Sequence, residues 1–376
     1  FHVLVQFDAP PGAEELRELE RQGARLVQYV PDSGYIVSVT SLAQAQGGRR
    51  QRAAVLPPRA KISVLAAGAA GPGGIGALVI EFHPDVQPET ARAIVQETGY
   101  EIVDHPALLP NHLLVRGALD AMEELAAWDE VAYIFPASQE LESGQPAEAC
   151  PGALTSLGAV GQYIAAVGEG WDGEGRGGAE LGYAFQRLAS RLPEDRVRNE
   201  VLRAMAEWAR VARLRFSAAA SPYVGRAINI LFASGEHGDG YPFDGNGRVL
   251  AHTFYPAPPN PEPIAGDMHL DDDEDWVTEP DLSVRSVDLF SVALHELGHA
   301  LGLGHSDAPG SVMYPYYRRA TALTAEDIEA ILKLYAEAAS DDPPEPAPGS
   351  PAGAGPLRIA ITAPAAFPYT TAAASL

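Results

Sequence analysis

The chain has 376 residues, enough for two to four domains, and 46% of them are hydrophobic, enough to bury a real core. Its net charge of −24 excludes a nucleic-acid binder, which needs clustered Lys and Arg, and no apolar run approaches the roughly 20 residues of a membrane-spanning helix. The acidity suits a soluble protein that binds hard cations, and equally one that uses charge only for solubility. The single cysteine, Cys150, allows no intrachain disulfide. The chain opens at Phe1 without a visible signal peptide and stops soon after a strand-like Leu357-Arg-Ile-Ala-Ile-Thr362, so it reads as a processed or truncated piece of a longer protein.

In chain order, residues 1–70 begin with strand-like His2-Val-Leu-Val-Gln-Phe7 and a charged helix from Ala13 to Gln22. Two strands follow near Arg25–Val30 and Tyr35–Val39, then a short helical segment near Ser41–Gln46 and a strand near Lys61–Leu65. Gly-rich Ala67–Gly74 reads as a linker. Residues 76–142 repeat the scheme: strand Ala77–Phe82, helix Pro88–Gly99, strands Tyr100–Val103 and His112–Val115, helix Leu119–Trp128 and strand Val131–Phe135. Each unit reads βαββαβ, the ferredoxin-like order, and its occurrence twice strengthens the reading. The units loosely resemble the propeptide-like domains that precede secreted subtilases and some bacterial metalloproteases; two small α+β modules without such a role is the equal alternative. Residues 143–178 read as an irregular connector, 179–337 as the densest domain, 338–356 as a Pro-rich linker and 357–376 as the start of a β domain.

The chemistry is concentrated in His295-Glu-Leu-Gly-His-Ala-Leu-Gly-Leu-Gly-His305, which fits H-E-x-x-H-x-x-G-x-x-H. Leu289, Val292, Ala293, Leu297 and Ala300 recur at helical spacing, with Asp288 as N-cap. His295 and His299, at i and i+4, share one face and can reach one ion. Glu296 points elsewhere and is suited to act as base beside the metal. Gly302 lets the backbone leave the helix, which can bring in His305 as third ligand. Three neutral imidazoles leave the fourth position of a zinc ion open to water, the arrangement of a catalytic site.

Ser306 and the run Ser311-Val-Met-Tyr-Pro315 follow. With them the stretch resembles the metzincin clan of zinc proteases, and within it the matrixins, the matrix metalloproteinase family. The resemblance spans about Leu181 to Tyr335, with Leu181–Phe185 as first strand, Arg196–Val211 as first long helix and Thr324 capping the last helix. It implies an α+β fold, a metzincin catalytic domain with a twisted mixed sheet and long helices, preceded here by the two small ferredoxin-like units. It places Met313 in the Met-turn beneath the zinc.

Six of the ten histidines fall between 237 and 305. The runs His237–His252 and Gly266–Trp276 carry His and Asp with metal-ligand chemistry. By the resemblance His237, Asp239, His252 and His269 hold a structural zinc. Asp244, Asp271 and Glu274, with carbonyls of Gly245, Gly247 and Val249, hold a calcium ion. About two zinc ions and at least one calcium are therefore expected. A second calcium site of the family is in doubt, because Ala227 stands where an Asp is needed, although Asp267 is present. The segment Pro256–Ile264 is also longer and richer in Pro than the family pattern.

The implied function is a secreted zinc endopeptidase with a zinc-activated water and Glu296 as general base. The alternative is a binding or adhesion module that keeps the zinc scaffold; retention of Glu296, which is not a ligand, argues against it. Protein or peptide substrate would pair with the edge strand at Leu250 and Ala251, and Pro315 and Tyr317 would wall the pocket after the cleaved bond. Only seven residues separate Pro315 from Leu323, a short wall. No nucleic-acid or membrane partner is expected, and residues 1–142 could inhibit the protease intramolecularly. Cys150 has two readings, a latency switch that fills the fourth zinc position or an inert connector cysteine. Glu148-Ala-Cys-Pro-Gly152 lacks the Arg and Asp of the family's switch peptide, which favours the inert reading.

Overall fold

A computed structural model of the chain describes residues 1–46, 51–71, 73–145, 147–161, 170–171, 177–279 and 286–338. The expected Pro-rich linker and terminal β domain lie almost wholly outside these residues, as does Pro72 of the linker between the first two units.

The first unit contains β1 (His2–Phe7), α1 (Ala13–Arg21), β2 (Arg25–Val30), β3 (Gly34–Ser38) and β4 (Gln51–Ala54). The sheet runs β2-β3-β1-β4 with antiparallel neighbours. Alternation along β1 buries Val3, Val5 and Phe7 against Leu19 of α1. In the second unit, α2 (Val64–Ala69) precedes β5 (Ile75–Phe82), α3 (Pro88–Glu97), β6 (Glu101–Val103), β7 (His112–Ala118), α4 (Met122–Ala126) and β8 (Val131–Pro136), and the one-turn α5 (Gln139–Glu142) follows. Its antiparallel sheet runs β6-β7-β5-β8, the same order counted within the unit. Leu78, Ile80 and Phe82 of β5 face the helices, whereas Val79 packs on the opposite face in a separate apolar cluster.

The strand expected near Lys61–Leu65 is absent. Pro58–Lys61 is a single 3₁₀ turn, and Ser63 caps α2 by accepting from the amides of Leu65 and Ala66. Two prolines and a strong N-cap residue at this point outweigh the apolar run that suggested a strand. The fourth strand of the first unit is β4 instead, and α2 occupies part of the expected linker. The segment from Pro58 also changes allegiance: Ser63 N donates to Ile134 O at 2.8 Å and Ala66 joins the core of the second unit.

The third unit holds β11 (Ala179–Arg187), α6 (Glu194–Val211), β12 (Leu214–Ala218), β13 (Ala227–Ala233), β14 (Ala251–Thr253), β15 (Met268–Asp271), α7 (Leu289–Ala300) and α8 (Ala325–Leu334). Its sheet runs β12-β11-β13-β15-β14, parallel except for the edge strand β14. This is a mixed α+β architecture. Apolar positions of α6, including Val197, Val201 and Trp208, face α7 in the main core, and Trp208 Nε1 donates to Leu294 O at 2.9 Å. Asp288 and Thr324 cap α7 and α8 as expected.

Residues 147–161 are not an irregular tether. A short hairpin, β9 (Leu154–Thr155) with β10 (Gly158–Ala159), forms part of a segment that lies against the third unit. Ala149 bridges to Val249 and Tyr316, and Leu154 bridges to Phe254. The N-terminal units flank it. Tyr255 of the third unit joins Tyr29, Ala153 and Val160 in the first unit's core, while Tyr314 and Tyr316 pack with Leu109, Leu114, Phe135 and Ala149.

The first two units meet through His2. Its Nδ1 lies 2.8 Å from Asp129 Oδ2 and its Nε2 2.9 Å from Asp85 Oδ1, and the ring stacks on His83. Burial opposes a charged ring, but the two carboxylates outweigh it and raise the pKa to about 9, while Asp129 falls to about 2. A group raised in the folded state stabilises fully below its unfolded pKa, and the contribution fades as pH rises through the folded value. His2→Ala should therefore lower the melting temperature by several degrees at pH 6. The gap should close between about pH 6.5 and 9, and a gap that persists at pH 10 would contradict this assignment.

Candidate functional site

The i, i+4 spacing on α7 puts His295 and His299 side by side, their ring centroids 4.8 Å apart. The helix then ends in a Schellman motif: Gly302 (φ +100°) donates to His299 O and Leu303 donates to Gly298 O, both at 2.9 Å. The left-handed residue sends the chain back so that His305 lies 4.8 Å from His299 and 5.3 Å from His295, centroid to centroid. Backbone carbonyls fix two of the rings. His295 Nδ1 donates to Val312 O at 2.6 Å and His299 Nδ1 to Leu303 O at 2.8 Å. Each Nε2 is thereby left as a bare acceptor facing the cluster. Burial lowers the pKa of His295 to about 4 and holds those of His299 and His305 well below the usual imidazole range, so all three are neutral, as metal ligands must be.

Met313 is buried and packs against α7 at Gly298. A Cβ added at Gly298, between the two helical ligands, would collide with Met313 Sδ and approach Trp208 at 3.1 Å. Asp327 of α8 holds the turn: it accepts from Ser311 Oγ and from the amides of Val312 (3.1 Å) and Met313 (3.4 Å). Pro315 O accepts from Cys150 N at 2.9 Å, and the Tyr317 hydroxyl bridges the amide and carbonyl of Asp288.

Glu296 is almost fully buried, beside the ligands rather than among them. Burial raises its pKa to about 7, against the lowering effect of hydrogen bonds with Thr253 and Cys150. Cys150 sits inside the cluster. Its ligand atom and those of His295, His299 and His305 lie within 4.8 Å of one another, and Sγ is 3.5 Å from His299 Nε2. A thiolate and an imidazole on one tetrahedral zinc stand about 3.6 Å apart. The structure thus brings the lone cysteine into the histidine cluster, although the Arg and Asp of the family's switch peptide are missing.

His237, Asp239, His252 and His269 form the second convergent group. Asp239 Oδ2 lies 2.8 Å from His237 Nε2, His252 Nε2 and His269 Nδ1, while His252 Nε2 and His269 Nδ1 are 3.3 Å apart. Two nitrogens on one tetrahedral zinc stand about 3.4 Å apart. His295 Nε2 and both nitrogens of His305 are buried without a hydrogen-bond partner, and such orphans suit a cation. The donor chemistry of both groups therefore fits zinc.

The expected calcium ligands are less tightly gathered: among the described residues only the two histidine-containing groups converge within 4.8 Å. Gly245 and Gly247 have positive φ, which lets the loop curl so that Gly247 N donates to Glu274 Oε1 at 2.6 Å. Asp271 is fully buried with Oδ2 unpartnered, and burial raises Glu274 to about 7, the pattern of carboxylates awaiting a counter-charge. Asp267 instead accepts from Asn229 N and Nδ2, at 3.0 and 2.9 Å, so a protein donor satisfies it. Leu250 and Ala251 lie at the sheet edge between the two points where the connector touches it. Thr253 and Asp327 went unread in the sequence. The alternation of β14 is the signal that could have sent Thr253 to the face opposite His252.

The sequence profile of the matrixin family matches residues 171–336, and that of a domain of unknown function (DUF8729) matches residues 1–58. Stromelysin-2 of Rattus norvegicus is 43% identical over 168 residues, which cover 43% of this chain and 33% of that protein. Metalloendoproteinase 2-MMP of Arabidopsis thaliana is 42% identical over 190 residues, 48% of this chain and 47% of that protein. Matrilysin of Rattus norvegicus is 41% identical over 157 residues, 41% of this chain and 55% of that protein. The chain spans from a third to about half the length of these relatives.

Ala is the better helix former, yet Gly298→Ala should destabilise the protein by about 1–3 kcal/mol, because the new methyl overpacks Met313 and Trp208. Urea unfolding would show it as a lower midpoint, and an unchanged or raised midpoint would refute the packing argument.

Proposed function

With residues 171–336 belonging to the matrixin family of zinc metalloendopeptidases, we propose that this chain is the latent form of a secreted, zinc-dependent endopeptidase that acts on protein substrates. The observation that carries the proposal is the convergence of four donor atoms, three from His295, His299 and His305 and one from Cys150, beside a buried carboxylate. The three imidazoles would hold a zinc ion, which when bound supplies Lewis-acid polarisation to a water and to the peptide carbonyl under attack. Glu296 accepts the proton of that water and returns it to the leaving amine, a role suited to a carboxylate whose pKa burial brings near neutrality. An extended substrate adds to the β14 edge at Leu250 and Ala251, with Pro315 and Tyr317 as the wall of the adjoining pocket.

His237, Asp239, His252 and His269 would hold a second, closed zinc site, and Asp244, Asp271 and Glu274 with the 245–249 loop at least one calcium ion. Both would tie loops to the sheet that carries the substrate edge, since an ion bound only by the folded state stabilises it. The two N-terminal units, read as ferredoxin-like modules from their strand order, act as an inhibitory prosegment. Their support for the connector at Tyr255 on one side and at Tyr314 and Tyr316 on the other favours this reading. Cys150 then serves as the latency switch, its sulfur occupying the position a substrate water needs.

Two variants test the proposal. Glu296→Ala should abolish peptide hydrolysis while elemental analysis still finds about two zinc ions per chain, and full hydrolysis by this variant would end the mechanism. Cys150→Ser should hydrolyse a peptide before any processing, whereas the wild type should need a thiol-reactive agent or cleavage. Equal activity of the two unprocessed proteins would assign latency to steric cover alone.

A further inference from the structure

Thr253 donates its hydroxyl proton to Glu296 Oε2 at 2.7 Å, and both side chains are essentially inaccessible to solvent. The contact follows from strand geometry. Along β14, side chains alternate, so His252 points to one face and Thr253 to the other. His252 stands opposite His269 across the ladder, on the face of the second histidine cluster, whereas Thr253 stands opposite Met268, on the face packed against α7. One peptide bond therefore joins a residue of the second metal group to the partner of the buried carboxylate.

Hydrogen bonding to a rigid strand matters for a glutamate in particular. The terminal torsion of Glu is broad and roughly two-fold, so a carboxylate on a helix has no preferred direction of its own. Thr253 removes that freedom on one oxygen and leaves the carboxylate's remaining capacity for the cleft, where Cys150 now contacts it. We propose that Thr253 is a positioning residue for Glu296: it holds the general base at the angle from which it can take a proton from a reacting water. The assignment rests on the reading of Glu296 as base.

The test uses the full chain, opened with a thiol-reactive agent or by limited proteolysis, and measures kcat and KM separately. Thr253→Val keeps the shape and removes the hydroxyl. It should lower kcat about ten- to a hundred-fold, the scale of a misplaced catalytic group, with KM and melting temperature unchanged. Thr253→Ser restores the hydroxyl and should recover kcat to within about three-fold. Wild-type kcat in Thr253→Val, or a Ser variant as slow as the Val variant, would overturn the assignment. Should the Val variant fail to fold, Thr253→Ala set against Thr253→Ser makes the same comparison. Full activity in Glu296→Ala would instead remove the base on which the assignment depends, an outcome separable from the other two.

Discussion

Two backbone carbonyls, those of Val312 and Leu303, decide which way the histidines of α7 present their lone pairs. A neutral imidazole carries one proton, and anchoring it at Nδ1 leaves Nε2 bare on the side of the cleft. Neither carbonyl belongs to the helix. Leu303 is placed by the left-handed turn at Gly302, and Val312 by the loop that Asp327 holds through Ser311 and two amides. The site therefore depends on a buried carboxylate of the last helix as much as on the helix bearing the ligands. The absence of a side chain at Gly298 then lets Met313 rise against α7 between the two ligands.

Much of this was legible in the sequence because it is local. The spacing of His295, His299 and His305, the cap at Asp288, the turn at Gly302 and the cap at Thr324 each follow from a few neighbouring residues. Most strands of the two N-terminal units were also accessible through alternation, which repeats over short stretches. It failed where a short apolar run met strong punctuation: Pro57, Pro58 and Ser63 turned the expected strand near Lys61–Leu65 into a 3₁₀ turn and a capped helix. Local pattern could not tell that this segment would pack on the second unit, since burial there is decided by Ile134, more than sixty residues later.

Contacts that span the chain were the illegible part. Cys150 reaches His299 from 149 residues away, through a connector whose composition promised only irregularity. The thiol is brought to the histidines by backbone pairing rather than by a flanking Arg and Asp: Ala149 N donates to Arg248 O, Cys150 N to Pro315 O, and Tyr317 N to Glu148 O. Main-chain pairing is nearly blind to residue type, so the motif can change while the delivery persists. Thr253 is a similar case, a residue without a motif whose place is set by the register of β14 against β15.

The docking of the connector along the edge of the third sheet has a consequence for competition. An occupant that belongs to the same chain is present at an effective concentration in the millimolar range, set by the tether rather than by the surroundings. A diffusing peptide at micromolar concentration faces a rival about a thousand-fold more abundant at the cleft, whatever their relative affinities. Severing the chain between the connector and β11 turns a unimolecular equilibrium into a bimolecular one that dilution can empty. If the connector is the inhibitor proposed above, the covalent continuity of the backbone is itself part of that inhibition.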